Sequence, residues 1–488
     1  MEWYWILLLL LGSILVLMFV GVPVGIAFLI VCTVTAYLIY GRFGSFDANL
    51  EASVFQLADN AFSNIAIFAI VPIPMFLLMG ELFFHTGLAN RMFNAVEMLM
   101  GRVPARLSYV TVAGGTALAT LSGSSMGSTA LLGTLMVPEM TKRGYKKHMS
   151  IGPILGTGGL AMLIPPSALA VLLGTIAEID IGKLLIAGIV PGVILALMYA
   201  VLIFVRATLD PDAAPAYDVD FVPYGVRFIV FARDVLPMVS IIGMVVVLIM
   251  GGIATPSEAA AYGSVGVILL ALLYLYLTPI AVLTWLAFVR RATGEADAAL
   301  RRAACDQIRR FWPSFARALW KSMWGAGRVT VIALVILLGS SLFSNVLAAS
   351  GASVKLIEWV TGFDVSAYVM ILFMLGILLL LGMFMDQLAM MLLTVPIFFP
   401  VIAKLDFGMS LDMTQIWFGV IMLLAMEISF TTPPFGLLLF VMQGVAPPGT
   451  RFGEICLAAI PFMACAMLLV ALIIMVPGVA TWLPWSSF

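Results

Sequence analysis

The chain of 488 residues is 63% hydrophobic and only 10% charged, with a net charge of −1. A soluble domain is about 45–50% apolar and about 25% charged, so the composition excludes a soluble globular protein and points to a polytopic, all-α membrane protein. Four cysteines and two histidines stand without metal-ligand spacing, and no GKS/T phosphate loop occurs, so neither a zinc site, a disulfide framework nor ATP hydrolysis is supported.

Met1-Glu2-Trp3-Tyr4-Trp5 has no basic n-region and no cleavage signature follows, so the start reads as a first transmembrane helix beginning outside rather than a signal peptide. Apolar segments at about 4–20 and 22–40 flank Gly21-Val22-Pro23, a tight turn between two crossings. A polar loop from Arg42 to Asn60 precedes a third crossing at about 65–87. Residues 89–101 carry Arg91, Asn94 and Glu97 between apolar positions, the pattern of a helix lying in the membrane interface.

The stretch from Leu107 to about residue 141 starts after Arg102 and Arg106 and ends before Lys142, Arg143, Lys146 and Lys147. Two basic clusters belong on the cytoplasmic side. The apolar arms between them are short of the roughly 20 residues that a crossing needs. The segment therefore reads as a re-entrant hairpin turning at Ser122-Gly123-Ser124-Ser125. A helix at about 150–178 follows, broken by Ile164-Pro165-Pro166-Ser167, then a crossing at about 184–207, a polar loop from Asp210 to Pro223, and crossings at about 235–252 and 256–288.

Residues 290–327 hold eight cationic side chains interleaved with Trp312, Phe315, Trp320 and Trp324. That pattern suits an amphipathic helix on a cytoplasmic membrane face, with a solvated basic linker as the plainer reading and no nucleic-acid role. A crossing at about 328–349 and an amphipathic piece from Val354 to Gly362 come next. Apolar arms at about 365–381 and 387–403 flank Gly382-Met383-Phe384-Met385-Asp386, a second hairpin. A helix at about 414–443 is broken at Thr431-Thr432-Pro433-Pro434, and a last crossing covers about 453–476.

Ten crossings and two hairpins put 20 of the 24 lysines and arginines on the side of the first hairpin's mouth, leaving only Arg42, Lys183, Lys355 and Lys404 opposite. By the positive-inside rule both termini then lie outside. The order of crossing, interfacial helix, hairpin, Pro-Pro-broken helix and crossing occurs twice. Five crossings in the first half turn the second half over, the inverted repeat of secondary transporters. The expected division is scaffold over 1–103 and 208–363, and transport domain over 104–207 and 364–488.

Broken backbone inside a membrane leaves carbonyls and amides that must line a polar cavity. Half-helix C-termini can ligate a cation, and half-helix N-termini can hold a carboxylate. Oxygen donors without sulfur or imidazole suit sodium. One expected sodium site comprises Ser122, Ser124, Ser125 and Thr157 with the break at Pro165, and a second comprises Gly382, Asp386, Thr431 and Thr432. The bound acid is expected between them, at Ser124, Ser125, Pro166, Ser167, Pro433 and Pro434. The small residues at the tips can equally serve close helix packing. Asp386 can support a cation or cap the half-helix that follows it. Glu81 and Glu427, also in apolar segments, read as structural residues away from the tips, and the Met-rich runs as packing.

Leu121-Ser122-Gly123-Ser124-Ser125, Ile164-Pro165-Pro166-Ser167, Gly382-Met383-Phe384-Met385-Asp386 and Thr432-Pro433-Pro434-Phe435-Gly436 together resemble the large membrane subunit of the tripartite ATP-independent periplasmic (TRAP) transporters, over nearly the whole chain. The resemblance implies an elevator fold like that of the ion transporter superfamily, sodium as coupling ion, no other cofactor, and a small organic acid as substrate. It further implies delivery by a periplasmic substrate-binding protein, a small four-helix membrane subunit as partner, and residence in the bacterial inner membrane. No extra helical block precedes the first repeat, so neither partner is expected to be fused. The Asp210–Pro223 loop and the basic segment after Arg290 are longer than the family's pattern. The alternatives are a stand-alone sodium–anion symporter, a permease driven by a separate ATPase, and a membrane enzyme. The enzyme would need a catalytic His or Asp pair, which the sequence does not offer.

Overall fold

The computed structural model describes residues 3–40, 55, 70–101, 103–122, 125–215, 223–277, 298–362, 365–383, 385–433 and 436–487, and no strand occurs among them. The Arg42–Asn60 loop apart from Phe55, the start of the 65–87 segment, the end of the 256–288 segment, residues 290–297, and Gly123, Ser124, Phe384, Pro434 and Phe435 lie outside the described residues.

Helices α1 (Trp3–Phe19) and α2 (Val24–Tyr40) are joined through Gly21, whose left-handed φ of +93° lets the chain reverse in four residues. Helix α3 (Pro72–His85) opens on prolines whose fixed φ suits a first turn. At Gly87, with φ +79°, the chain bends by 67° into α4 (Leu88–Met100). Helix α4 buries Leu88, Met92, Phe93 and Val96 and leaves its charged residues at the rim, the amphipathic arrangement expected there.

Helices α5 (Arg106–Ser122) and α6 (Ser125–Lys142) form the first pair of short arms. The first interrupted helix is α7 (Lys147–Leu163) followed by α8 (Ala168–Ala177), bent by 45° at the Pro-Pro break. Beyond it come α9 (Ile181–Ala187) and α10 (Ile189–Leu209). Lys183 pairs with Asp412 at 2.6 Å at one end of this rod, and Asp210 pairs with Lys146 at 2.5 Å at the other. The 21 residues of α10 rise about 30 Å, the thickness of a hydrocarbon core.

Helix α11 (Tyr224–Asp234), which no sequence pattern announced, bends by 43° into α12 (Leu236–Met250), and α13 (Pro256–Leu272) follows behind a Thr255–Glu258 capping box. A larger departure is α14 (Ala298–Ala349): 52 residues form one helix, where an amphipathic segment ending at 327 and a separate crossing from 328 were expected. Gly325-Ala326-Gly327 does not break it, because α14 packs along α3 at this level. A methyl group on Gly325 would stand only 2.9 Å from the Glu81 carboxyl carbon. The glycine is there for close approach, not for a turn.

After α15 (Ala352–Thr361), the arms α16 (Ala367–Leu381) and α17 (Gln387–Ile402) form the second pair, and α18 (Leu411–Phe430) with α19 (Leu437–Val445) the second interrupted helix. The chain closes with α20 (Phe452–Met475) and a short α21 (Gly478–Ser487), the latter not foreseen. One hydrophobic core joins α3 to α13 with α16 to α21. A smaller core packs α1, α2 and the C-terminal part of α14 against α17.

Candidate functional site

Two interrupted helices and two paired arms meet at one buried point. The second arm of each pair packs against the half-helix that follows the opposite half's break, α6 against α19 and α17 against α8. Close approach here depends on missing side chains: a methyl at Gly133 of α6 would stand 2.2 Å from Val445, and one at Gly158 of α7 would stand 3.2 Å from Leu438. Each tip is thus surrounded by residues of both halves.

The residue at the centre is Glu427, in the last turn of α18. It is 4% exposed. Its Oε2 accepts from Ser125 Oγ at 3.4 Å and from Gln387 Nε2 at 3.5 Å, so one carboxyl ties the first residue of α6 to the first residue of α17. Its Oε1 faces Gly159, where a methyl would stand 2.3 Å away. The expectation that Glu427 lies away from the tips is therefore corrected, since it sits between them. The signal was in the spacing. Glu427 precedes Thr431 by four residues and so shares its helix face one turn below the break. Gln387, which sequence reading also passed over, directly follows Asp386.

Other expected site residues are placed as follows. Ser125 is buried at the start of α6, and Ser122 ends α5. Thr157 is fully buried, packs its methyl against the position of Gly115, and donates its hydroxyl to the Pro153 carbonyl of its own helix. Pro165 and Pro166 form the break after α7, and Ser167 caps α8 by accepting from the Ala170 amide at 3.2 Å. Gly382 closes α16 against Ser429, where a methyl would stand 2.0 Å from its Oγ. Asp386 caps α17, Oδ1 accepting from the Ala389 amide at 3.3 Å, which is the capping geometry left open above. Thr431 and Thr432 donate to Ile428 O at 3.0 and 2.7 Å, holding the last turn of α18, and Pro433 follows at the break.

A water-sized cavity of about 10 Å³ reaches Glu427 from between α7, α10 and α20, lined by Tyr199, Thr431, Phe462 and Met463 among others. At the basic end lies a wider, open groove of about 460 Å³ with Lys147, His148, Arg206, Asp210 and Glu454 on its walls. Apart from this groove, Glu97 is held by Arg106 at 3.3 Å and Arg143 at 3.6 Å, joining α4 to the start of α5 and to the turn just after α6. Asp210, in the turn after α10, is held below the usual carboxylate range by its hydrogen bond to the Lys146 ammonium.

Interrupted helices that bring their ends to a buried polar point, in an all-helical and strongly apolar chain, are the architecture of a multi-pass membrane transport protein. Residues 11–479 match the family model described as "Tripartite ATP-independent periplasmic transporter, DctM component". The chain belongs to this family; it is a large TRAP permease subunit and not an enzyme. It is 29% identical over 437 residues to the C4-dicarboxylate TRAP transporter large permease protein DctM of Pseudomonas aeruginosa, covering 88% of this chain and 90% of that one. It is 25% identical over 423 residues to the isethionate TRAP transporter permease protein DctMQ of Oleidesulfovibrio alaskensis, covering 87% of this chain and 59% of that one. Among solved structures, MtrF of Neisseria gonorrhoeae shares the fold with a TM-score of 0.58 at 12% identity, over 93% of this chain and 94% of that one.

Proposed function

We propose that this subunit carries a small organic acid across the bacterial inner membrane by a sodium-coupled elevator motion. A periplasmic binding protein delivers the acid, and a small four-helix membrane subunit lies against the scaffold. The observation that supports this most is the meeting of the N-termini of α6 and α17 around one buried point. The two positive helix ends meet at the Glu427 carboxyl, and the substrate carboxylate lies beside it, between the tips. The sodium ions belong at the adjoining tips: one at Ser122, Ser124, Ser125 and Thr157 with Pro165, the other at Gly382, Asp386, Thr431 and Thr432. The acid lies between them, against Ser124, Ser125, Pro166, Ser167, Pro433 and Pro434.

In this reading residues 104–207 and 364–488 move together as the transport domain against 1–103 and 208–363, the two halves being inverted with both termini periplasmic. The recurrence of paired arms followed by an interrupted helix supports the repeat. Relatives named for C4-dicarboxylates and for isethionate both point to a short anion, so a C4-dicarboxylate is the first substrate to try. The test is uptake into proteoliposomes with and without an inward sodium gradient and with and without the cognate binding protein. Uptake is expected only when both are present. Uptake that is unchanged without sodium removes the coupling, and robust uptake by the permease alone removes the delivery step.

A further inference from the structure

Arg206, in the last turn of α10, is a cation left over after the charges around it have paired. We propose that the groove at the basic end, between α10 and α20, holds the headgroup of an anionic phospholipid, with Arg206 as the main ligand of its phosphodiester. The inference goes beyond the transport reading, and the groove shares no lining residue with the cavity at Glu427.

Charge points to an anion. Of the acidic side chains on the walls, Asp210 is paired with Lys146 at 2.5 Å and Glu454 with Lys147 at 2.8 Å. What remains is the guanidinium of Arg206, with the imidazole of His148 near it in the same groove. Nη1 of Arg206 is buried and has no hydrogen-bond partner among the described residues. A buried donor of this kind calls for an acceptor from outside the chain. The planar fork of a guanidinium matches two phosphate oxygens at once.

The surroundings favour a lipid over a free anion. The rings of Tyr199 and Phe462 lie 5.2 Å apart, which sets α10 and α20 against each other with Arg206, two turns beyond Tyr199, beside the start of α20. Leu209 and Leu457 line the groove and are exposed. From Leu209 an exposed apolar stripe climbs α10 at every fourth residue through Val205, Val201 and Leu197, and from Leu457 another climbs α20 through Ile460 and Leu468. Leu197 to Leu209 covers about 18 Å of helix, enough for one leaflet of a hydrocarbon core about 30 Å thick. A cationic groove with two apolar tracks leading from it suits a charged head carrying two acyl chains. On the topology proposed above it opens at the cytoplasmic leaflet, where anionic lipids gather. Lys147, His148, Arg206 and Glu454 all fall in the proposed transport domain, so the lipid travels with that domain.

The test is native mass spectrometry of the detergent-purified permease, titrated with phosphatidylglycerol, phosphatidylcholine, inorganic phosphate or succinate. Phosphatidylglycerol should fill a single tight site that phosphatidylcholine leaves empty. Arg206→Gln should weaken this binding at least about fivefold, the effect of one cation beside an anionic lipid. Leu457→Glu sets a carboxylate on an exposed wall and should weaken it similarly, which keeps the test decisive should Arg206→Gln not fold. Arg317→Gln removes an exposed cation of α14 outside the groove and should change binding less than about twofold, because exposed charges are screened. Wild-type affinity in both groove variants overturns the proposal. So does an equal loss in Arg317→Gln, the sign of diffuse attraction to the basic segment. Phosphate or succinate displacing the lipid in an Arg206-dependent way also overturns it, since the groove would then serve a free anion. Binding is read without transport, so its failure leaves the uptake reading standing, and a failure of uptake leaves the lipid site standing.

Discussion

Gly382→Ala is the sharpest test of how the second tip is built. The added methyl would stand 2.0 Å from Ser429 Oγ and 2.3 Å from Ser429 Cβ, in a place where both residues are buried and the serine sits mid-turn in α18. Ordinary contact begins above about 3.4 Å, so α16 and α18 must part by an ångström or more. Overpacking of this kind costs about 1–3 kcal/mol. The second tip would also be shifted away from Gln387 and Glu427. The control is Gly376→Ala in the same helix, where nothing lies within 4 Å, and where alanine is the better helix former by up to about 1 kcal/mol. Thermal stability of the purified permease should therefore fall for Gly382→Ala and stay level or rise for Gly376→Ala. The second-site changes carry the logic further. Ser429→Gly removes both clashing atoms and should restore much of the loss, whereas Ser429→Ala leaves Cβ in place and should restore little. If Ser429→Ala rescues as well as Ser429→Gly, or if Gly382→Ala matches the Gly376→Ala control, the close approach is not what Gly382 is for.

Asp386→Asn keeps a capping oxygen at the start of α17, so it should leave stability nearly unchanged while Asp386→Ala loses about 1 kcal/mol; a raised sodium requirement for half-maximal uptake in Asp386→Asn would show that the charge serves the cation as well. Trp417 is fully buried and donates Nε1 to Ile473 O at 2.9 Å, so Trp417→Phe should cost about 1 kcal/mol and Trp417→Ala about 3–5 kcal/mol in unfolding measurements. Cysteines introduced at Lys146 and Gln307 should be labelled only from the cytoplasm and one at Asp406 only from outside; labelling of both arm-pair mouths from one side would sink the inverted topology. Asp210 has its carboxyl depressed by Lys146, so the small stabilisation from this pair is present above the ordinary aspartate range and is lost as pH falls through its lowered value. Asp210→Asn should abolish that part of the acid sensitivity, as read by thermal scans at several pH values.

The membrane character, the short arms and the two interruptions were legible along the chain, because each is written in local chemistry. Apolar length decides whether a helix can cross, basic clusters decide which side its ends prefer, and consecutive prolines remove the amides a helix needs. Both ends of α5–α6 and α16–α17 and both breaks fall within a few residues of the expected places. What lay beyond local pattern was everything set by a partner distant in sequence. Gly325 reads as a helix breaker, yet it lies mid-helix because Glu81 presses on it from α3. Thr157 reads as a free hydroxyl, yet its proton is already given to Pro153. Glu427 reads as one acid in an apolar run; only the crossing of each arm against the other half's broken helix brings Ser125, Gly159 and Gln387 around it, from positions 302, 268 and 40 residues away. Hydrophobic length and helix breaking act over one or two turns, so a single chain segment suffices to read them. The desolvation of a carboxyl depends on which surfaces close over it, and that is settled only when the helices have packed.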